Sequence, residues 1–103
     1  MKRVVWSVSA VDELTSIIAY ISRNNPPAAE RIAELLEKAV LALAEYPVGR
    51  RGRVAGTFEK VLTDAPYIIA YALGDEPGEG ETLTVLRIIH RARDRPEGGW
   101  PAD

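Results

Sequence analysis

The sequence is without cysteine and carries a single histidine in 103 residues, two shortages that narrow its chemistry before any pattern is read. No disulfide, thiolate nucleophile or cysteine-ligated metal can form, which suits a reducing compartment. One histidine is too few for the usual zinc ligand sets, and neither a metal nor another cofactor is expected. Long apolar runs are missing at the N-terminus, where MKRVVWSV offers two basic residues and a very short apolar stretch, far below a signal peptide or a membrane span. A soluble cytoplasmic protein with no membrane partner is the expectation. Absent too is any segment that combines low hydrophobicity with high charge. At 47% hydrophobic and 27% charged residues the chain can build a core, with disorder expected only at its ends. The length suits one domain, able to bury roughly two-thirds of its unfolded surface.

Charge of either sign is in slight supply as a sum: 13 basic against 15 acidic residues leave a net charge of −2. That balance argues against a general nucleic-acid binder. The distribution is less even. Arg50, Arg51, Arg53 and Lys60 fall in one short window and Arg87, Arg91, Arg93 and Arg95 in another, while Asp12, Glu13, Glu30, Glu34, Glu37 and Glu45 load the first half with acid. If the two windows meet in space, a mildly acidic protein carries a basic patch.

Val4 to Val8 is β-branched and aromatic, and reads as a first strand. SAVD follows, with Ser9 as helix N-cap and Asp12 in capping-box position. Val11, Leu14, Ile18 and Ile21 mark one face of a helix over about residues 10 to 23, stopped before Pro26. Pro27 suits the first turn of a second helix, whose inner face carries Ile32, Leu36, Val40 and Leu43 and which Pro47 and Gly49 close. A link this short makes the two helices an antiparallel hairpin.

The period changes after residue 50. GRVAGTFEKVL reads as a strand with a bend or bulge at Gly56, YIIAYAL as a buried strand and LTVLRIIH as another, the last two separated by the polar loop GDEPGEGE. RPEGGWPAD reads as an irregular tail. The order β-α-α-β-β-β predicts an α+β domain, a small and mainly antiparallel sheet with an N-terminal helical hairpin packed on one face. The domain spans residues 1–96, the tail 97–103, and the first strand is expected to pair with a later one across a large sequence gap.

This order, together with GRVAGTFEKVL, PYIIAYAL and LRIIHRARDRP, resembles the RelE/ParE superfamily of bacterial toxins over nearly the whole chain. The nearest likeness is to the ParE branch, often labelled plasmid stabilisation proteins, through the PYII-Y strand and through Leu86, Arg87, Ile88, Ile89, His90, Arg93 and Asp94. The resemblance implies the toxin of a type II toxin-antitoxin pair, neutralised by a cognate antitoxin that wraps it. It also implies DNA gyrase as target, since ParE-type members inhibit gyrase, whereas RelE-type members cut messenger RNA on the ribosome. No sequence-specific DNA binding by the toxin alone is implied. One fold hosts both mechanisms, so the site must decide.

Cutting RNA through its 2′-hydroxyl needs a base, an acid and cations around the phosphorane. Arg53, Arg87 and His90 are the candidates for such a ribonuclease, with His90 as acid or base. Strand parity opposes them, because Arg87 and His90 are three apart and point to opposite faces of a regular strand, with Leu86 and Ile88 sharing the face of His90. The several lysines of RelE-like clefts are missing, and all four tyrosines precede residue 72. A lone histidine at a strand end more often hydrogen-bonds a loop backbone than performs chemistry. Tyr67, Tyr71 and Trp6 read as core or sheet-face residues, while Trp100 docks back on the domain or on a partner. The arginines need no chemistry to act, since guanidinium forks pair with carboxylates on a protein target or an antitoxin. The expectation is therefore a gyrase-inhibiting binder, not an enzyme, whose target surface comprises Arg50, Arg51, Arg53, Arg87, His90, Arg91, Arg93 and Arg95. Two alternatives stand beside it: a ribosome-dependent endoribonuclease, and a degenerate member that binds antitoxin without toxicity.

Overall fold

A computed structural model describes residues 1–93 together with Gly99 and Trp100. Strand β1 (Arg3–Trp6) leads into helices α1 (Val8–Ser22) and α2 (Pro26–Glu45), followed by β2 (Arg50–Arg51), β3 (Phe58–Val61), β4 (Tyr67–Glu76), β5 (Gly80–His90) and a 3₁₀ turn, Arg91–Arg93. The strands form one sheet in the order β1-β5-β4-β3-β2. Only β1 is parallel to its neighbour, with Val4 opposite Leu83 and Trp6 opposite Val85. The α+β architecture is the expected one, and the first strand does cross a long sequence gap to find its partner.

Local chemistry explains the elements and moves some of their boundaries. Helix α1 starts two residues earlier than Ser9 would have it, because Ser7 is the cap: its hydroxyl oxygen accepts from Ala10 N–H at 3.1 Å and its hydroxyl donates to the Leu86 carbonyl at 2.8 Å. Asp12 thus lies beyond the first turn. The inner stripe of α1 runs through Ala10, Leu14 and Ile17, and Val11 is 46% exposed, so the stripe expected through Val11 is shifted by one residue at its start. Asn25 caps α2 by accepting from Ala28 N–H, and Pro26 occupies the first helical position, where a missing N–H costs nothing. Leu36, Val40 and Leu43 are buried as expected, joined by Ala29 and Ala44.

GRVAGTFEKVL is a strand only in its second half, β3, and its first half turns the chain back to β2, a short strand that precedes it. Gly52 N–H donates to the Thr57 carbonyl and the Thr57 hydroxyl to the Val54 carbonyl, folding residues 52–57 into the turn of a β2–β3 hairpin. Gly56 sits there at φ +80°, a conformation other residues adopt only with strain. The polar loop after β4 is also shorter than GDEPGEGE suggests, since Gly74, Asp75 and Glu76 pair with Thr82, Glu81 and Gly80. Lys2 reaches Glu81 at 3.3 Å and Arg3 pairs with Glu79, tying β1 to this hairpin.

The helices cover one sheet face. Leu36, Val40 and Leu43 pack there on Tyr67, Ile69, Tyr71, Leu83, Val85 and Ile88. Phe58 stacks on Tyr71 at 5.6 Å, and the Tyr71 hydroxyl donates to the Val48 carbonyl. Opposite lies a smaller cluster of Ile68, Ala70 and Ile89, with Val61 and Trp100 packed on it. Both Tyr67 and Tyr71 are core residues, as read from their parity, and burial raises both phenols above their ordinary pKa.

Candidate functional site

A single bulge sets where the candidate residues of β5 point. Ala70 faces Arg87 but the next residue, Tyr71, faces Val85, which leaves Leu86 extra. The irregularity lets Val85 and Ile88, three apart, both enter the helix-side core, and takes Leu86 out of the simple alternation expected with Ile88 and His90. From Arg87 onward the strand is regular. Arg87 and His90 therefore diverge, as their spacing predicts.

Arg87 is held by a helix. β1 ends opposite Val85, and beyond it the free edge of β5 is closed by Glu13 from α1. One Glu13 oxygen accepts from Ile88 N–H at 2.9 Å, and the carboxylate takes Arg87 Nε and Nη2 at distances down to 2.7 Å. Both side chains are largely sequestered, 16% and 15% exposed.

Glu59, on β3, is the second carboxylate. Its oxygens accept from Arg53 N–H at 3.1 Å, Arg53 Nε at 3.0 Å, Arg53 Nη2 at 2.8 Å, Arg50 Nη2 at 3.3 Å and Trp100 Nε1 at 3.3 Å. The Glu59 side chain is 1% exposed and that of Arg53 9%. Burial alone would push the carboxyl pKa up, but the Arg53 guanidinium and backbone N–H, with the Trp100 indole, outweigh it and hold the group at about 2. Glu59 is ionised throughout the physiological range.

His90 lies on the helix side, its ring meeting Tyr67 edge-on at 5.2 Å. Nδ1 accepts from Ala92 N–H at 3.0 Å, so the neutral ring carries its proton on Nε2. Arg91 N–H donates to the Pro66 carbonyl, fixing the start of the 3₁₀ turn. The ring borders an open groove of about 740 Å³ between α1 and β5, lined among others by Asp12, Ile17, Tyr20 and Arg23.

The arginine windows share a sheet row without touching. Arg50 stands opposite Glu59, Glu59 opposite Ala70 and Ala70 opposite Arg87, three strand spacings or roughly 14 Å. Arg53 gathers on Glu59 at the outer face, Arg87 on Glu13 at the β5 edge, and His90 faces the helices. Arg51 and Arg91 are exposed, and among the described residues no ion pair engages either. Arg93 closes the 3₁₀ turn, and Arg95 lies outside the described residues.

Sequence reasoning missed both carboxylates. Glu59 carries a signal in hindsight, an acid in an otherwise core-forming strand beside an arginine run, whereas Glu13 is one acid among several on α1. Trp100 is found on the outer sheet face. Among the described residues no group of three or more His, Cys, Asp or Glu is arranged to hold a metal, and no helix is long and apolar enough to cross a membrane.

A family model described as ParE toxin of type II toxin-antitoxin system, parDE, matches residues 4–95. The chain is 39% identical over 97 residues to "Putative toxin Y4kP" of Sinorhizobium fredii, covering 93% of this chain and 95% of that one. It is also 39% identical over 94 residues to "Toxin RelE2" of Caulobacter vibrioides, with 90% and 99% covered. Among solved structures, one titled "Chromosomal ParDE TA system from P. aeruginosa" superposes with a TM-score of 0.75 at 20% identity, covering 87% of this chain and 96% of that one, and so shares the fold.

Proposed function

We propose, from the premise that this chain belongs to the ParE toxin family of type II toxin-antitoxin systems, that it acts by binding DNA gyrase in the cytoplasm and that a cognate antitoxin neutralises it. The observation that carries the binding half of this reading is the dispersal of the ribonuclease candidates. Arg53 and Arg87 are each engaged by a sequestered carboxylate on a different element, and His90 faces away from Arg53 across the sheet with Nδ1 occupied. A phosphorane requires cations and an acid within about 3 Å of one point. Binding an acidic protein surface requires only exposed guanidiniums, which Arg51 and Arg91 supply.

The test is supercoiling of relaxed plasmid by gyrase with purified toxin, with detergent added in parallel to reveal trapped cleaved DNA. Inhibition with accumulated linear DNA is expected. Folded protein without effect at large molar excess would remove gyrase as target. The second reading, a ribosome-dependent endoribonuclease, draws on the relative named RelE2. It expects cleavage of ribosome-bound messenger RNA that is lost in His90→Gln. A protein inactive in both assays that still binds its antitoxin would be the degenerate member.

A further inference from the structure

We propose that the groove between α1 and β5 seats an extended segment of the protein target, with an acidic side chain received by Arg23, a basic one by Asp12 and an acceptor between them on the Tyr67 hydroxyl. The inference deepens the reading of this chain as a binder and rests on it. Two buried phenols make the case. Tyr71 is 0% exposed, and its hydroxyl donates to the Val48 carbonyl at 3.2 Å. Tyr67 is 5% exposed and lines the groove, yet among the described residues no hydrogen bond engages its hydroxyl. A buried hydroxyl left without a partner opposes folding, and such groups are rare in native chains. The ring of Tyr67 packs in the helix-side core and meets His90 edge-on, so its apolar body holds the fold while its one polar atom does not. A partner entering the groove can supply the missing acceptor.

The walls give that partner its character. A volume of about 740 Å³ is in the range of ligand-binding clefts. Ile17 and Ile88 supply apolar area, and Glu13 brings no net charge because Arg87 answers it. Asp12 and Arg23 are exposed, and among the described residues no ion pair engages either. At about 1.5 Å of rise per residue they lie roughly 16 Å apart along α1, the reach of about five extended residues. The groove is thus polarised, and a segment with opposite charges at its ends and apolar residues between them matches it. Ala92 is one of its lining residues, and the exposed Arg91, assigned above to the target surface, precedes Ala92 in the chain. That continuity selects the target as occupant.

The experiment uses the full chain and begins with stability. Tyr67→Phe is expected to keep or raise the thermal midpoint, whereas Tyr71→Phe lowers it by roughly 4–8 °C. An equal fall in both would show that the Tyr67 hydroxyl serves the fold and would overturn the inference. In the gyrase assay the half-inhibitory concentration is expected to rise about tenfold in Tyr67→Phe and in Arg23→Glu, at unchanged or higher midpoint. Undiminished inhibition by both variants would overturn it, as would a loss confined to antitoxin affinity, which would give the groove a different occupant. Failure of the parent to inhibit gyrase would sink the target reading, and a probe then decides the groove. The probe is a blocked pentapeptide with lysine and glutamate at its ends and leucines between, tried in both orders at about 5 mM. Movement of the Tyr67 ring resonances in the parent, absent in Arg23→Glu, is the expected result. Resonances that do not move in the parent would refute the site.

Discussion

Replacing Glu59 by glutamine removes one charge from a site that is almost closed to water, and its cost can be worked from the structure. The carboxyl is lowered from 4.5 to about 2. At about 1.4 kcal/mol per pH unit, that difference contributes about 3 kcal/mol of stability at neutral pH. The pKa is depressed in the folded state, so the contribution is complete above pH 4.5 and disappears as pH falls toward 2. The neutral amide would keep an acceptor for the Trp100 indole but leave the Arg53 guanidinium, its side chain 9% exposed, without its counter-charge. Loss of one partner of such a pair costs about 3–5 kcal/mol in other proteins, a range consistent with this one. Urea denaturation at pH 7 should therefore show Glu59→Gln less stable by about 3 kcal/mol, with the thermal midpoint lowered by roughly 10–20 °C for a domain of this size. Between about pH 5 and pH 2 the gap between parent and variant should close, because the parent alone loses the contribution. A variant within about 1 kcal/mol of the parent at pH 7, or a gap independent of pH, would refute the account of Glu59 as a buried, ionised hub.

Glu13→Ala should cost about 2–3 kcal/mol by denaturant titration, since it strips Ile88 N–H and Arg87 of one shared acceptor, whereas Glu13→Gln should recover part of that loss by keeping an acceptor for the backbone donor. Charge reversal at Arg51 and Arg91 together should abolish gyrase inhibition while the thermal midpoint stays within a few degrees, because among the described residues neither is in an ion pair; a matching fall in stability would point to a structural role instead. His90→Gln should retain growth arrest in cells expressing the toxin without antitoxin, and a large loss of activity in folded protein would favour RNA cleavage. Tyr71→Phe should lower stability by about 1 kcal/mol through loss of the hydroxyl donated to Val48, with no effect on toxicity.

Element order was legible because apolar spacing records which face is covered: Leu36, Val40 and Leu43 recur at helical intervals and are buried, and Tyr67, Ile69 and Tyr71 alternate onto one sheet face. Boundaries were less so. Ser7 and Ser9 are equally good caps by type, and the choice falls to Ser7 because Ser7 N–H must meet the Val85 carbonyl at the end of the β1–β5 ladder, a contact between residues 78 apart. The hairpin whose turn lies in the first half of GRVAGTFEKVL escaped for a similar reason, since that turn is closed by Thr57 rather than by a two-residue glycine signature. Among the site residues, the arginines announced themselves by clustering, but their pairing with Glu13 and Glu59 depends on helix placement and strand order, which no local pattern records. The separation of Arg87 from His90 was readable from parity alone, because the bulge falls at Leu86 and spares the interval between them.

The two carboxylates also bear on which chemistry this member of the fold is suited to. An ionised Glu59 at contact distance from Arg53 cancels most of the field that arginine could offer to a phosphate, and recruiting Arg53 for catalysis would mean breaking a pair at the centre of a site whose ionised carboxylate contributes about 3 kcal/mol in all. Glu13 imposes the same condition on Arg87, with the added loss of a backbone hydrogen bond at Ile88. A ribonuclease built on this sheet would thus lose stability before it began to stabilise a transition state. A binder draws instead on Arg51 and Arg91, whose charge stands clear of Glu13 and Glu59, and uses the paired arginines as framework. On this view a binder and a ribonuclease could share this fold and differ in whether the sheet's arginines are answered by acids of the same chain or left to meet those of a partner.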